Sequence, residues 1–231
     1  MVKLKSREQS LLWLESELSE ESAIIDRGFE LLDTCVSKLD SIGKERGNKL
    51  SGKLFTIGAI TLAKSTHLLL GCFSLALDGL SQESGALMRP LIETYELLVY
   101  LRQDPKRVEE AINENLPSAG NIAKEISGKF FDIRKHLNEH ASHFNYKVES
   151  IRHLVNLEKK VRINAFPSHS MSVFNRNLNT INAFQTILLA EAGYWLEITK
   201  NNDKFDNVLE SYCRKSNTIF PSPTKPNPRC T

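Results

Sequence analysis

The sequence predicts an all-α fold: a kinked antiparallel helical bundle with short capping helices and a disordered, proline-rich C-terminal tail. Helical periodicity runs along the chain, whereas the alternation of apolar and polar residues that marks half-buried strands is missing. The 231 residues are 41% hydrophobic and 25% charged, enough for one domain with a substantial core. We predict a single domain over residues 1–219, with its core at about 53–200, and a tail over 220–231.

The first predicted helix runs from about Ser6 to Ile42. Apolar residues recur along it every seven positions and line one seam of a long helix, at Leu11, Leu18, Ile25, Leu32 and Leu39. A coiled coil needs a second apolar position in each heptad, and here that position is not consistently apolar, since Leu14 is followed at the same spacing by Glu21 and Gly28. We therefore favour packing within the protein's own bundle, with a two-stranded coiled coil as the alternative.

The second predicted helix, about Lys53 to Asp78, is apolar nearly all round, as is typical of a central helix. Its longest uninterrupted apolar run is about half the ~20 residues needed to span a bilayer, so we expect a buried core helix. Its polar and small residues form one narrow stripe, at Lys64, His67, Gly71, Ser74 and Asp78. We interpret the stripe as a close-packing seam, with ligand binding by His67 as the alternative.

The third predicted helix, about Gln82 to Gln103, contains Pro90, which predicts a kink or a restart. Arg89 and Glu93 lie one turn apart on a polar stripe that also includes Glu96. Their order, base before acid, is the less favourable one on an isolated helix, so we expect tertiary contacts, specifically with His67 or Lys64. The alternative is a solvated face that contributes little.

The rest of the chain predicts shorter helices and one further long helix. Two short helices, one over about 105–114 and one that Gly128 ends, should cap one end of the bundle. A helix with Phe130, Ile133, Leu137, Ala141 and Phe144 as its buried stripe should follow from about Lys129 to Asn145. The remaining predicted helices run over about Val148 to Arg162, Ser170 to Thr199 and Lys204 to Lys215.

Three of the six histidines, His136, His140 and His143, lie within eight positions of this helix. At ~100° per residue they fall within an arc of roughly 60°. Histidines so placed are suited to binding a metal, moving protons or meeting an anion. Because no His-Glu-x-x-His or Glu-x-x-His pattern occurs, we predict no metal site and no cofactor, and we favour boundary histidines that hydrogen-bond to the backbone or to neighbouring helices over a metal site.

Composition and charge narrow the function classes. The formal charge of +2 produces no global field toward nucleic acid or an anionic membrane. The four cysteines are scattered without a Cys-x-x-Cys pair, and the N-terminal residues lack the apolar core of a signal peptide. We therefore expect a cytoplasmic protein without a membrane partner.

The spacing of Arg134 and His140, with five residues between them, resembles the motif of the HEPN superfamily. These all-helical proteins include many metal-independent ribonucleases of bacterial toxin and phage-defence systems. The resemblance implies a homodimer in which Arg134 stabilises negative charge on an RNA phosphodiester while His140 transfers protons.

Two further segments, Ser84 to Glu96 and Leu137 to Phe144, together look like uncharacterised bacterial helical proteins that are similar to the HEPN group in outline. Those proteins place an Arg-x-x-x-Glu helix beside a helix that ends in a Ser-His pair. This resemblance implies that Arg89, Glu93 and His143 act together, and we add His67 and His136 as candidate ligand-binding residues.

Two functions are therefore predicted from the sequence. The first is a non-catalytic helical bundle of bacterial stress or defence type that binds a ligand, RNA or a protein partner. The second is a metal-independent ribonuclease of HEPN type. Whether the protein is an enzyme is left open by the sequence, because a fold alone does not assign function.

Overall fold

A computed structural model describes residues 5–140, 155–156, 162–163, 169–197 and 203–220. It confirms the predicted all-α class. The helices of these residues are α1 (Lys5–Glu15), α2 (Ser19–Arg46), α3 (Leu50–Leu77), α4 (Ser81–Gln103), α5 (Val108–Ile112), α6 (Ala119–Glu125), α7 (Phe131–His140), α8 (Met171–Glu197) and α9 (Asp203–Ile219), with a short 3₁₀ turn at Pro105–Arg107.

Helices α2, α3, α4 and α8 form the bundle, with α3 packed against the other three. The chain reverses between α3 and α4 at Gly79, whose φ of +77° favours glycine. Helix α8 runs parallel to α4, since Asn177 binds Ser81 near the start of both helices and Glu191 pairs with Arg102 near their ends. The antiparallel arrangement that the sequence predicts therefore holds for consecutive helices but not for α4 and α8.

The core is aliphatic with a few large aromatic rings. Phe55 of α3 meets Trp195 of α8 edge to face, with ring centroids 6.1 Å apart, and both side chains are fully buried. Gly58 lets α3 approach this indole, because a Cβ at that position would lie 2.5 Å from the Trp195 ring. The central position predicted for this helix follows from these contacts.

The first predicted helix is two helices. Helix α1 ends at Glu15 and α2 begins at Ser19, so the chain turns where the sequence predicts continuity. The apolar seam from Leu18 onward is buried within the bundle, whereas Leu11, on the other side of the break, is half-exposed. The interpretation as in-bundle packing agrees with the burial of this seam.

Of the kink or restart predicted at Pro90 of α4, the structure excludes the restart, and one prediction about α7 is corrected. Helix α4 continues from Ser81 to Gln103 through Pro90, so the helix does not restart there. On α7, Leu137 is buried as predicted, but Ile133 is 46% exposed because Arg134 turns inward instead.

The predicted helix from Val148 to Arg162 is wrong at the residues that the structure describes. Val155–Asn156 pairs antiparallel with Arg162–Ile163. β-Branched Val155 and Ile163 pair directly in this short ladder, and such residues favour extended backbone over helix. The predicted C-terminal tail lies outside the described residues, except for Phe220, which is buried.

Helix α3 is long and apolar enough, by length and composition alone, to cross a membrane. The core helix of a soluble bundle meets the same criterion, and 44% of its most apolar window is buried inside the protein. Helices α2, α4 and α8 pack against α3 and account for the buried part of its apolar sequence, whereas Ile60 and Leu70 are exposed.

Candidate functional site

Helices α4 and α7 are joined by an ion pair at the edge of the core. Arg134 of α7 donates from Nη1 to Glu96 Oε2 of α4 at 3.0 Å. The Glu96 side chain is 1% exposed and that of Arg134 is 15% exposed. Because an unpaired carboxylate at this depth is costly, Arg134 supplies the compensating charge for Glu96.

The start of α7 is anchored to the bundle by aromatic packing. Phe130, the residue before the helix, meets Tyr95 of α4 edge to face at 5.7 Å between ring centroids. The same ring stacks on Phe184 of α8 at 6.0 Å. One turn after Arg134, the buried Leu137 adds an apolar contact surface. These contacts and the Arg134–Glu96 pair position α7 against α4.

A cleft of about 560 Å³ opens between α4, the start of α6 and α7. Arg89 and Glu93 of α4 form one wall and pair with each other at 3.1 Å, with side chains 38% and 30% exposed. The cleft is lined by Arg89, Glu93, Ser118, Ala119, Gly120, Phe131, Arg134, Lys135, Asn138 and Glu139. The two polar stripes of α4 and α7 therefore face one space.

The cationic groups of the cleft keep hydrogen-bond donors for a ligand. Within the described residues, Arg89 bonds Glu93 through Nε only, and Arg134 bonds Glu96 through Nη1 only. A guanidinium group carries five N–H donors, so each retains terminal donors. Lys135 is exposed, and the Phe131 ring is 67% exposed beside these charges.

The burial of Glu96 changes the acidity of its carboxyl group. Burial raises the pKa of the Glu96 carboxyl above its ordinary value, Arg134 opposes that rise, and Glu93 adds to it. Its Oε1 atom is buried and has no hydrogen-bond partner among the residues that the structure describes. Gly128 passes close to this oxygen, since a Cβ there would lie 2.5 Å from it. Only a residue without a side chain fits here without displacing the carboxylate.

The structure brings three of the seven predicted site residues together, namely Arg89, Glu93 and Arg134. His67 is exposed on α3 and, within the described residues, is joined to neither Arg89 nor Glu93 by a hydrogen bond or ion pair. The predicted contact between the α3 stripe and these residues is therefore not made through polar groups. Arg89 and Glu93 face α7 instead.

The other predicted histidines contribute less to the described geometry. His136 is exposed on α7, outside the lining of the cleft. His140 ends α7, and its side chain lies outside the described residues, as does all of His143. The predicted role of these two histidines therefore stays a prediction.

Glu96 was assigned by sequence to the polar stripe and is instead a buried residue. The signal that finds it is its spacing, because Met88, Ile92 and Glu96 recur every four residues and all three are buried. A charged residue at a position of the apolar stripe indicates a buried ion pair. The sequence does not name the partner, which lies 38 residues further along the chain.

Ser74 and Asp78, at the C-terminal end of the α3 stripe, contact α1. Arg7 of α1 binds both carboxylate oxygens of Asp78, at 2.6 and 2.8 Å, and the hydroxyl of Ser74 at 2.8 Å. This ion pair holds α1 against the end of α3. Ser74 and Asp78 are therefore structural residues, and Arg7 was not identified from the sequence.

A half-buried histidine that the sequence did not single out, His169, also holds α1. Its Nε2 atom lies 2.6 Å from the hydroxyl oxygen of the fully buried Ser10. Its ring lies 4.9 Å from Trp13 and 5.8 Å from Phe174, centroid to centroid. Burial lowers the pKa of His169, which favours the neutral imidazole.

Within the part of the chain that the structure describes, no three His, Cys, Asp or Glu side chains cluster closely enough to hold a metal ion. Comparison with protein-family models, curated proteins and solved structures found no match. The class that the fold and the cleft define is a helical-bundle protein with a charged surface cleft.

Proposed function

We propose that the protein is a ligand-binding helical bundle whose α4–α7 cleft binds a small organic anion that carries a flat apolar group, such as a nucleotide. The observation that supports this most is the presence of two guanidinium groups, Arg89 and Arg134, on one cleft of about 560 Å³. Each is oriented by a carboxylate, Glu93 or Glu96, and each keeps terminal donors for a ligand.

The recognition chemistry follows from these side chains. Guanidinium groups bind carboxylate, sulfonate and phosphate oxygens in pairs, and such charge-assisted bonds are about twice as strong as neutral ones. Glu93 holds Arg89 through Nε, which leaves the two terminal nitrogens for an anion. The exposed Phe131 ring in the same cleft offers a surface on which a flat group stacks.

The walls of the cleft are preorganised. Phe130 fixes the start of α7 between Tyr95 and Phe184, and the Glu96–Arg134 pair fixes its next turn. A site whose side chains are already positioned loses less conformational entropy when it binds. The cleft can therefore bind a ligand without first rearranging its side chains.

Calorimetric titration with adenosine monophosphate and with 2-naphthalenesulfonate tests the proposal, with sulfate as an anion that lacks a flat group. Arg89→Gln should weaken both organic anions by about tenfold or more, because one charge-assisted pair is lost. Phe131→Ala should weaken the organic anions while leaving sulfate unchanged.

A matched control is Arg27→Gln on α2. Arg27 also pairs with a neighbouring carboxylate, Glu30 at 2.8 Å, but lies outside the cleft. Arg27→Gln should bind like the wild type. Equal affinities for Arg89→Gln and the wild type would place the ligand elsewhere and contradict the proposal.

The second candidate is a metal-independent ribonuclease of HEPN type, acting as a homodimer in the cytoplasm. The observation that favours it is that Arg134 lines the cleft, where a phosphodiester would reach it. Arg134 would then act while it is also bonded to Glu96. RNA cleavage with EDTA present, by protein verified as a dimer by light scattering, tests it, and His140→Ala should abolish cleavage.

A further inference from the structure

We infer that Glu96 is the positioning residue that sets the anion affinity of the cleft: neutralising its carboxylate releases Arg134 to the ligand. The inference rests on the proposed anion-binding function and deepens it. It makes proton uptake at a buried site the regulator of ligand binding at the surface.

Arg134 lies between a buried carboxylate and the surface cleft, so its charge can interact with either Glu96 or a ligand. Behind it, Glu96 Oε2 accepts from Nη1 at 3.0 Å. In front of it, the same residue lines the cleft beside Arg89 and Lys135. Glu96 itself, 1% exposed, does not line the cleft, so it acts on a ligand only through Arg134.

Among the described residues, the charges that line the cleft or lie directly behind it are balanced while Glu96 is ionised. The basic side chains are Arg89, Arg134 and Lys135, and the carboxylates are Glu93 and Glu139 in the lining and Glu96 behind it. A neutral Glu96 leaves one net positive charge at the position where an anion binds. Because that charge is partly shielded from water, its attraction for an anion is stronger than that of an exposed one.

The surroundings of Glu96 make it the group that gains a proton. Of the charged groups that act on it, Arg134 of α7 favours ionisation, and Glu93 on its own helix opposes it. From the turn between α6 and α7 it meets Gly128, which does not titrate. Burial is the largest effect and raises the pKa of Glu96, so the proton is gained at a less acidic pH than by an ordinary glutamate.

The experiment measures the affinity of 2-naphthalenesulfonate between about pH 8 and about pH 5, a range in which this probe keeps its charge. We expect wild-type affinity to rise by about three- to tenfold as the pH falls. Glu96→Gln should bind at pH 8 at least as tightly as the wild type does at pH 5. Its affinity should no longer depend on pH.

Glu191→Gln is the matched control for charge and burial. Glu191 is also a buried carboxylate paired with an arginine, Arg102, but neither residue lines the cleft. This variant should keep the wild-type pH dependence. Glu93→Gln should tighten binding by freeing Arg89, yet keep that dependence as well, because Glu96 still titrates.

The outcomes separate the two proposals. Binding that needs Arg89 but does not change with pH, or a pH dependence that survives in Glu96→Gln, overturns the role of Glu96 and leaves the ligand site standing. Absence of binding by the wild type and by Glu96→Gln at every pH overturns both. If Glu96→Gln fails to fold, Arg134→Gln decides instead, since without a guanidinium to release its affinity should not vary with pH.

Discussion

Arg102 of α4 and Glu191 of α8 form a two-point ion pair inside the bundle, with N–O distances of 2.5 Å and 3.1 Å. The indole of Trp195 donates a further hydrogen bond to Glu191 at 3.1 Å. Burial raises the pKa of Glu191, and its hydrogen bonds with Arg102 and Trp195 oppose the rise. This pair, at the ends of two parallel helices, makes the α4–α8 contact specific, because neither charge is compensated without the other.

Arg102→Ala should reduce the free energy of unfolding by about 3–5 kcal/mol, because it leaves the buried Glu191 carboxylate without its charged partner. Urea denaturation followed by circular dichroism measures the loss. Glu210→Ala is the control, since Glu210 pairs with Arg214 at 2.6 Å on the exposed face of α9. Removing that surface pair should cost less than about 1 kcal/mol. Similar losses in the two variants would contradict the buried role of Glu191.

Gly58→Ala should destabilise the protein by about 1–3 kcal/mol, because the added methyl group overpacks a core contact. The new Cβ would lie 2.5 Å from the fully buried Trp195 ring. Gly120 of α6 has open space around the same position, so Gly120→Ala should instead stabilise by about 0.5–1 kcal/mol through helix propensity. Thermal unfolding of both variants tests the pair of predictions, and a shift of the same sign in both would count against them.

The helices that could be predicted from the sequence are those whose burial follows one regular stripe. Helix α3, apolar nearly all round, and α8 both begin and end within a few residues of the predicted bounds. The break between α1 and α2 was missed because the apolar repeat runs on in phase from Leu11 to Leu18. The ion pair of Arg7 with Asp78 holds α1 against α3, and an apolar repeat gives no information about such a contact.

The candidate site was predictable in part for the same reason. Spacing identified Arg89 and Glu93 as candidate site residues, and both line the cleft, but their hydrogen bond among the described residues is with each other and not with His67 or Lys64. Spacing alone does not give the partner of Arg134, because Glu96 lies on another helix and on the apolar stripe that continues from Ile92. A buried ion pair is a relation between two distant positions, and a single sequence shows only that each is polar.

Gly128→Ala should loosen α7 specifically. The added Cβ would lie 2.5 Å from Glu96 Oε1, so the carboxylate must move and its 3.0 Å bond to Arg134 must lengthen or break. Hydrogen exchange of the α7 amides should therefore accelerate by more than that of the α3 amides, which lie in the core. Uniform acceleration across both helices would indicate global destabilisation and reject the local role of Gly128.

The free energy of unfolding should fall in acid because of His169. Burial lowers the pKa of His169 below its ordinary value of 6.5, so the unfolded chain binds this proton more readily than the folded protein. Its contribution is therefore fully present above the unfolded pKa and is lost as the pH falls from about 6.5 through the lowered folded pKa. A protonated ring would place a second N–H, at the buried and unpartnered Nδ1, where the described residues offer no acceptor.

Urea denaturation at several pH values between about 8 and about 5 measures this effect. His169→Gln should reduce the slope of unfolding free energy against pH, while His67→Gln, a substitution on the exposed face of α3, should leave the slope unchanged. The loss in acid should begin at α1, because His169 meets both Ser10 and Trp13 of that helix. As the pH is lowered, the hydrogen-exchange protection factors of the α1 amides should thus fall at a higher pH than those of the α3 amides. A simultaneous fall in both helices would show that His169 does not control the docking of α1.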